Sequence, residues 1–169
     1  MSLHSPALLV ATTSMQDERF KRTVILIIEH TDKGSLGVII NKPLPISLQT
    51  IAKESGLPCE LTPEAMAYYG GPVEPQRGMV IVKGGLPMPE DTVLDFTHFV
   101  STRKDLLEIL MDDVTQQFRL FLGYAGWGPG QLDFEIAEGT WVIRPLVSEW
   151  LLSTTPASLW EAVLAAELR

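Results

Sequence analysis

Five consecutive apolar residues, Val24–Ile28, four of them β-branched, stand in "RTVILIIEH". Such a run suits a strand covered on both faces, because neither side calls for a polar residue. The next segment, "TDKGS", has turn chemistry, with Gly34 available for positive φ, and "LGVIIN" follows as a second buried strand. The two predict a central antiparallel hairpin, ended at Lys42-Pro43 because proline cannot donate to a ladder. Ala7–Ala11, "MAYYGGPV", "GMVIVKGG", "FRLFLGY" and "TWVIRP" read as further strands, several of them broken by glycine pairs.

Helical spacing appears in three places. "PISLQTIAKESG" has Ser47 as N-cap, Ile46 and Ile51 placed for a hydrophobic staple, and Gly56 as its stop. "STRKDLLEILMDD" sets Thr102 and Asp105 as a capping-box variant, with Leu106, Leu107, Ile109 and Leu110 facing inward. "TTPASLWEAVLAAEL" starts at Thr155-Pro156 and stripes Leu159, Trp160, Val163, Leu164 and Leu168. Hairpin-ordered strands with irregularly interspersed helices predict one α+β domain over residues 1–169 rather than a regular βαβ sheet.

Composition adds bounds. With 46% hydrophobic and 20% charged residues, the chain has the profile of a globular protein that buries a core without metal or disulfide support. The one cysteine, Cys59, leaves no intramolecular disulfide and points to a reducing compartment. The apolar run of "SPALLVATTSM" is too short to span a bilayer and no cation precedes it, so a cytoplasmic location without membrane attachment is expected. A formal net charge of -8, with compact basic groups only at Arg19-Lys21-Arg22 and Arg103-Lys104, disfavours direct nucleic-acid binding.

Candidate chemistry centres on "GYAGWGPGQLDFEI", Gly123–Ile136. Gly126, Gly128 and Gly130 are spaced G-x-G-x-G, not G-x-G-x-x-G, and no Gly-Lys-Ser/Thr follows, so phosphate cradling is disfavoured and a packed strand-to-strand turn preferred. "QLDFEI" alternates as a strand with Leu132, Phe134 and Ile136 on one side, and Gln131, Asp133 and Glu135 on the other. On such a strand the two carboxylates lie about 6.5–7 Å apart, a range in which they can share acid and base work, although a solvated face shows the same pattern. Glu29-His30 offers a carboxylate beside an imidazole, but neighbouring strand residues face opposite sides and do not chelate one ion together. No zinc-type spacing, nucleophile elbow or reactive-thiol setting occurs, and neither a metal nor a cofactor is expected.

Four segments together resemble the YqgE/AlgH family of bacterial proteins: Met15–Pro43, Tyr68–Val82, Phe121–Ile136 and Thr140–Pro145. E-H-x-x-x-G, G-G-P-V and G-Y-A-G-W-x-x-G-Q-L carry the likeness, which covers nearly the whole chain. The matching positions are Glu29, His30, Gly37, Asn41, Pro43, Gly70, Gly71, Pro72, Gly123, Tyr124, Gly126, Trp127, Gly130 and Gln131, and the family pattern assigns none of them a catalytic role. Two departures are Asp133, where Glu is more usual, and Gly139-Thr140 before Trp141. The resemblance implies a mixed, largely antiparallel sheet curled into a pseudo-barrel and flanked by helices. The family has no settled activity, and its common label of transcriptional regulator describes no mechanism.

Two functions follow as expectations. The first is a non-enzymatic cytoplasmic binding or regulatory module acting through a protein partner or small ligand. Its site is drawn from Glu29, His30, Asn41, Tyr124, Trp127 and Gln131, should the two glycine-containing turns converge. The second is a hydrolase using His30 or the Asp133/Glu135 pair. Direct DNA binding ranks third.

Overall fold

The computed structural model describes residues 3–166. Fifteen elements follow one another: β1 Ala7–Ala11, β2 Val24–Thr31, β3 Gly34–Ile39, β4 Pro43–Ser47, α1 Leu48–Ser55, β5 Met66–Tyr69, β6 Val73–Lys83 and β7 Thr92–Val93 lead. β8 His98–Ser101, α2 Lys104–Met111, β9 Gln117–Trp127, α3 Gln131–Ala137, β10 Trp141–Arg144, α4 Ser148–Leu151 and α5 Pro156–Ala165 complete the chain. The strands join in the order β10-β1-β2-β3-β9-β6-β8-β7, with β4 and β5 branching off β9. All pairings are antiparallel except β5 with β9. This is the expected single α+β domain, and the sheet is not closed: β10 and β7 end the hydrogen-bonded path.

The apolar hairpin is β2–β3, and its residues serve two cores because successive side chains leave on opposite faces. Val24 and Leu26 enter one cluster with Leu8, Val38 and Phe121, covered by Leu151, Leu159 and Val163 of α4 and α5. Ile25 and Ile27 enter a second with Leu9, Trp127 and Trp141, covered by Leu132 and Met15. A third cluster sits where Leu48, Leu110 and Met111 cover Val80, Val82 and Leu120, with Cys59 partly buried against it. Buried Asn41 ties the hairpin's entry: its Oδ1 accepts from the Val24 N–H at 2.9 Å, and its Nδ2 donates to the Arg22 carbonyl at 3.0 Å.

Helix ends follow the expectations at α1, where Ser47 Oγ accepts the Thr50 N–H at 3.1 Å and Gly56 takes φ 71°. They differ at α2, where Arg103 is the N-cap without a side-chain cap bond and Thr102–Asp105 form no box. Arg103 instead holds Asp91 at 3.0 Å, an ion pair whose carboxylate side chain is buried. Ile109 is 61% exposed and Met111 takes the inner position, so the inward face is rotated from the one read in sequence. At α5, Thr155 makes no cap bond, Leu159 and Val163 are buried, and Leu168 lies outside the described residues. Arg144 closes the other end of α5, donating to the Val163 and Leu164 carbonyls at 3.0 and 2.9 Å.

The largest correction is α3. "QLDFEI" is not a strand, and the glycine loop is a strand-to-helix turn, with Gly130 left-handed at φ 74°. Leu132 and Ile136 pack inward at helical i, i+4 spacing, whereas Phe134, which a strand would bury with them, is 65% exposed. Six residues satisfy both periods in their first and last apolar positions, and only Phe134 separates them.

β9 bends at Gly123, φ 80°, passing from β5 to β3 with β6 paired on both sides. There it meets Gly70 and Gly71 so closely that a Cβ on Gly71 would overlap the Tyr124 carbonyl group. Asp95 gives a second tie: burial pushes its carboxyl up, but bonds from Ser148, the Thr97 N–H and His98 outweigh this and hold it well below the usual range.

Gly71→Ala is expected to cost about 3 kcal/mol in urea unfolding through overlap and a positive φ. Gly56→Ala, with nothing near its Cβ, is expected to cost about 1 kcal/mol. Because the Asp95 pKa is depressed on folding, its contribution is complete above the unfolded value of about 3.9 and is lost as pH falls below it. Asp95→Asn should therefore remove about 2 kcal/mol at neutral pH and flatten the acid limb of the stability curve.

Candidate functional site

The glycine-containing turns do meet. Ser35 is the register partner of Trp127, and a Cβ on Gly34 would lie 2.6 Å from the Trp127 carbonyl oxygen. The six residues singled out in sequence are nevertheless divided. Between Ile27 and Glu29 the β2–β3 register shifts by a bulge, after which Glu29 opposes Leu36 and His30 opposes Ser35. Glu29 and Tyr124 then line a cavity of about 190 Å³ beside Arg77 and Glu90. A bond to Glu74 pushes the Tyr124 phenol up, with burial adding to it.

His30 lies elsewhere, its Nδ1 2.6 Å from Ser35 Oγ and its Nε2 3.2 Å from Asp133 Oδ1 on α3. Asn41 is used up by backbone groups, as described above. Asp133 and Glu135 do not face one way: on a helix, residues two apart diverge by about 200°. Asp133 goes to His30, while Glu135 goes to the aromatic residues.

Trp127 and Gln131 line a different space, a cleft of about 400 Å³. Its wall is built on Glu135. One oxygen accepts both indole N–H groups, Trp127 at 3.3 Å and Trp141 at 2.9 Å, and the other accepts Gln131 Nε2 at 2.9 Å. Gln131 Oε1 in turn takes the Gly128 N–H at 3.0 Å, which fixes the loop to the first turn of α3. The two indoles meet edge to face at 6.1 Å, Phe20 packs on Trp141 at 5.9 Å, and Arg19 lies 5.4 Å over Phe20. Arg19 is held at the rim by Asp17 at 2.7 Å. This gives a rigid aromatic recess with a polar edge, able to stack a flat group and hydrogen-bond its rim.

Sequence reasoning did not name Arg19, Phe20 and Trp141 for this site, and it read Glu135 as a free acid. Trp141 was visible only as a strand residue, and nothing local tells that its N–H meets a carboxylate six positions back. Among the described residues no group of three His, Cys, Asp or Glu is placed to hold a metal ion, and no helix is long and apolar enough to cross a membrane.

Glu135→Ala should leave both indole N–H groups without their carboxylate and lower stability by about 2 kcal/mol. Thermal unfolding checks this, together with a changed tryptophan emission spectrum.

Comparison with known proteins places the fold and the motifs in context. A family model described as AlgH-like matches residues 8–167. A UPF0301 protein of Myxococcus xanthus is 38% identical over 161 residues, covering 95% of this chain and 88% of that one. A UPF0301 protein of Shewanella denitrificans is 35% identical, covering 90% and 85%. The solution structure of the AlgH protein from Pseudomonas aeruginosa superposes with a TM-score of 0.76 at 29% identity, covering 99% of this chain and 94% of that one. A crystal structure from Corynebacterium diphtheriae gives 0.78 at 29% identity, covering 99% and 91%. Motifs, family model and fold agree, and this chain belongs to the AlgH-like, UPF0301 family.

Proposed function

We propose that the protein is a non-enzymatic binding module of the cytoplasm that takes a small ligand with a flat, partly apolar body in the tryptophan cleft, and whose loaded state is read by a protein partner. One observation carries this reading: the four segments of family resemblance all reach the same recess. Met15–Phe20, Pro72–Val73, Gly126–Glu135 and Thr140–Trp141 each contribute to its lining. The Glu135 carboxylate is occupied in orienting two indoles, which suits a wall and does not suit an acid that must trade protons. The basic groups are also engaged. Arg19 pairs with Asp17, Lys21 with Glu18, Arg22 with Glu161 and Arg103 with Asp91, which disfavours a phosphate backbone as partner.

A hydrolase is the second reading, favoured by one geometry. Ser35, His30 and Asp133 form a hydroxyl–imidazole–carboxylate chain of the kind that activates a serine. The Asp133 side chain is 64% exposed, so water competes at the carboxylate end of the chain.

The test is a thermal-shift and tryptophan-quenching screen of flat heteroaromatic compounds against the protein and Gly126→Ile. Gly126 lines the cleft and a Cβ there meets nothing nearer than the Tyr124 ring at 3.9 Å, so the substitution adds bulk at the cleft wall without a backbone clash at Cβ. Binding that Gly126→Ile abolishes is the expected result. Absence of any binder, together with p-nitrophenyl ester hydrolysis that Ser35→Ala removes, would replace this reading with the second.

A further inference from the structure

A larger cavity, of about 670 Å³, opens between the ends of β6, β8 and β9 and the α4–α5 segment. It shares no lining residue with the tryptophan cleft. Register aligns three polar side chains on its floor: Lys83 opposes His98 on one side and Gln117 on the other, so all three leave the sheet on one face.

His98 is the anchor. Its side chain is 4% exposed, and its Nδ1 is 3.0 Å from Asp95 Oδ1 and 2.9 Å from Thr97 Oγ1. A carboxylate at that distance takes the Nδ1 proton, so whenever the ring is neutral its Nε2 is the acceptor. Nε2 has no partner, yet the one side-chain nitrogen or oxygen buried without a partner among the described residues is Arg119 Nη1. Nε2 is therefore not sealed in the core, and His98 lines both this cavity and an adjoining one of about 490 Å³. An acceptor held in place at a cavity wall can take a hydrogen bond from a bound donor.

The remaining lining decides what kind of donor. Lys83 and Glu149 oppose each other in charge, so the cavity favours neither an anion nor a cation. Gln117 both donates and accepts, and the hydroxyls of Ser153, Thr154 and Ser158 do the same. Trp150 adds a flat apolar wall. Mixed donors and acceptors around one aromatic face match a group that itself donates and accepts at every position, which is a ring hydroxyl.

We infer that this cavity is a second ligand site, and that it takes a neutral polyhydroxylated molecule of the monosaccharide class. One hydroxyl of the ligand donates to His98 Nε2, its neighbours exchange bonds with Gln117 and accept from Lys83, and its C–H face lies on Trp150. The site is independent of the tryptophan cleft, whose residues do not enter it.

Titration of ¹⁵N-labelled protein with D-glucose, D-galactose and D-mannose to about 100 mM, enough to saturate a millimolar site, tests this. At least one sugar is expected to give saturable amide shifts confined to Lys83, Thr97, His98, Gln117 and residues 148–158, with the amides around Trp127 and Glu135 unmoved. Gln117→Ala, an exposed position whose loss leaves the core intact, should weaken that sugar about fivefold, the effect of one lost hydrogen bond. His98→Gln should do so by at least as much. No saturable shift with any sugar, unchanged affinity in Gln117→Ala, or the same shifts produced by inorganic phosphate at lower concentration would each overturn the assignment.

Discussion

The contact on which the architecture turns is backbone against backbone, where Gly70 and Gly71 meet Gly123 and Tyr124. β9 runs from Gln117 to Trp127 and serves three neighbours, pairing with β5 before Gly123, with β3 after it, and with β6 on both sides through a register shift. That handover needs a residue at positive φ with no side chain on the inner surface, because the Gly71 carbonyl occupies the place where a Cβ would stand. Glycine is the residue that meets both conditions. Once β9 has bent there, Trp127 is carried to the end of β3, and α3 can begin three residues later at Gly130–Gln131.

The tryptophan cleft follows from that bend. α3 is only seven residues long and gains little from its own hydrogen bonds, so its position depends on what its side chains reach. Leu132 anchors it in the core, Asp133 reaches His30, and Glu135 reaches two indoles from two different strands. One short helix thus joins β2, β9 and β10 through three residues. A carboxylate accepting two indole N–H groups is also a positional device: it sets both rings and leaves a recess between them and Phe20. The same logic recurs at the far end of the sheet, where Asp95 collects Ser148, Thr97 and His98 and so fixes an imidazole beside the second cavity. In both places an acid is spent on orientation.

How far the sequence could be read depended on the range of the interactions concerned. The hairpin Val24–Ile39, the caps Ser47 and Gly56, and the strand character of "FRLFLGY" and "TWVIRP" were legible because each is set by neighbours within a few positions. Failures cluster where a short segment fits two periods. "QLDFEI" alternates, and it also places Leu132 and Ile136 four apart, so only the exposure of Phe134 tells strand from helix. The α2 start was misread for a related reason: Arg103 is drawn to Asp91, twelve residues back, which no local capping pattern contains. The divergence of Glu29 and His30 was legible from strand alternation, but the bulge that sends Glu29 towards Leu36 and Tyr124 was not.

Sequence alone determined the α+β class, the central apolar hairpin, and the family, because periodicity, turn chemistry and glycine-rich motifs are written in consecutive residues. Tertiary structure decided what the motifs are for. The stretch Gly123–Ile136 changed from a turn and a wet strand into a bend, a loop and a helix whose acids point to different partners. That Glu135 meets Trp141 from the next strand, that Met15–Phe20 closes the same recess, and that Lys83, His98 and Gln117 share one floor are facts of register and packing. Such facts lie beyond a linear reading, because the side chains that meet are brought together by the free energy of a common core and not by their spacing along the chain.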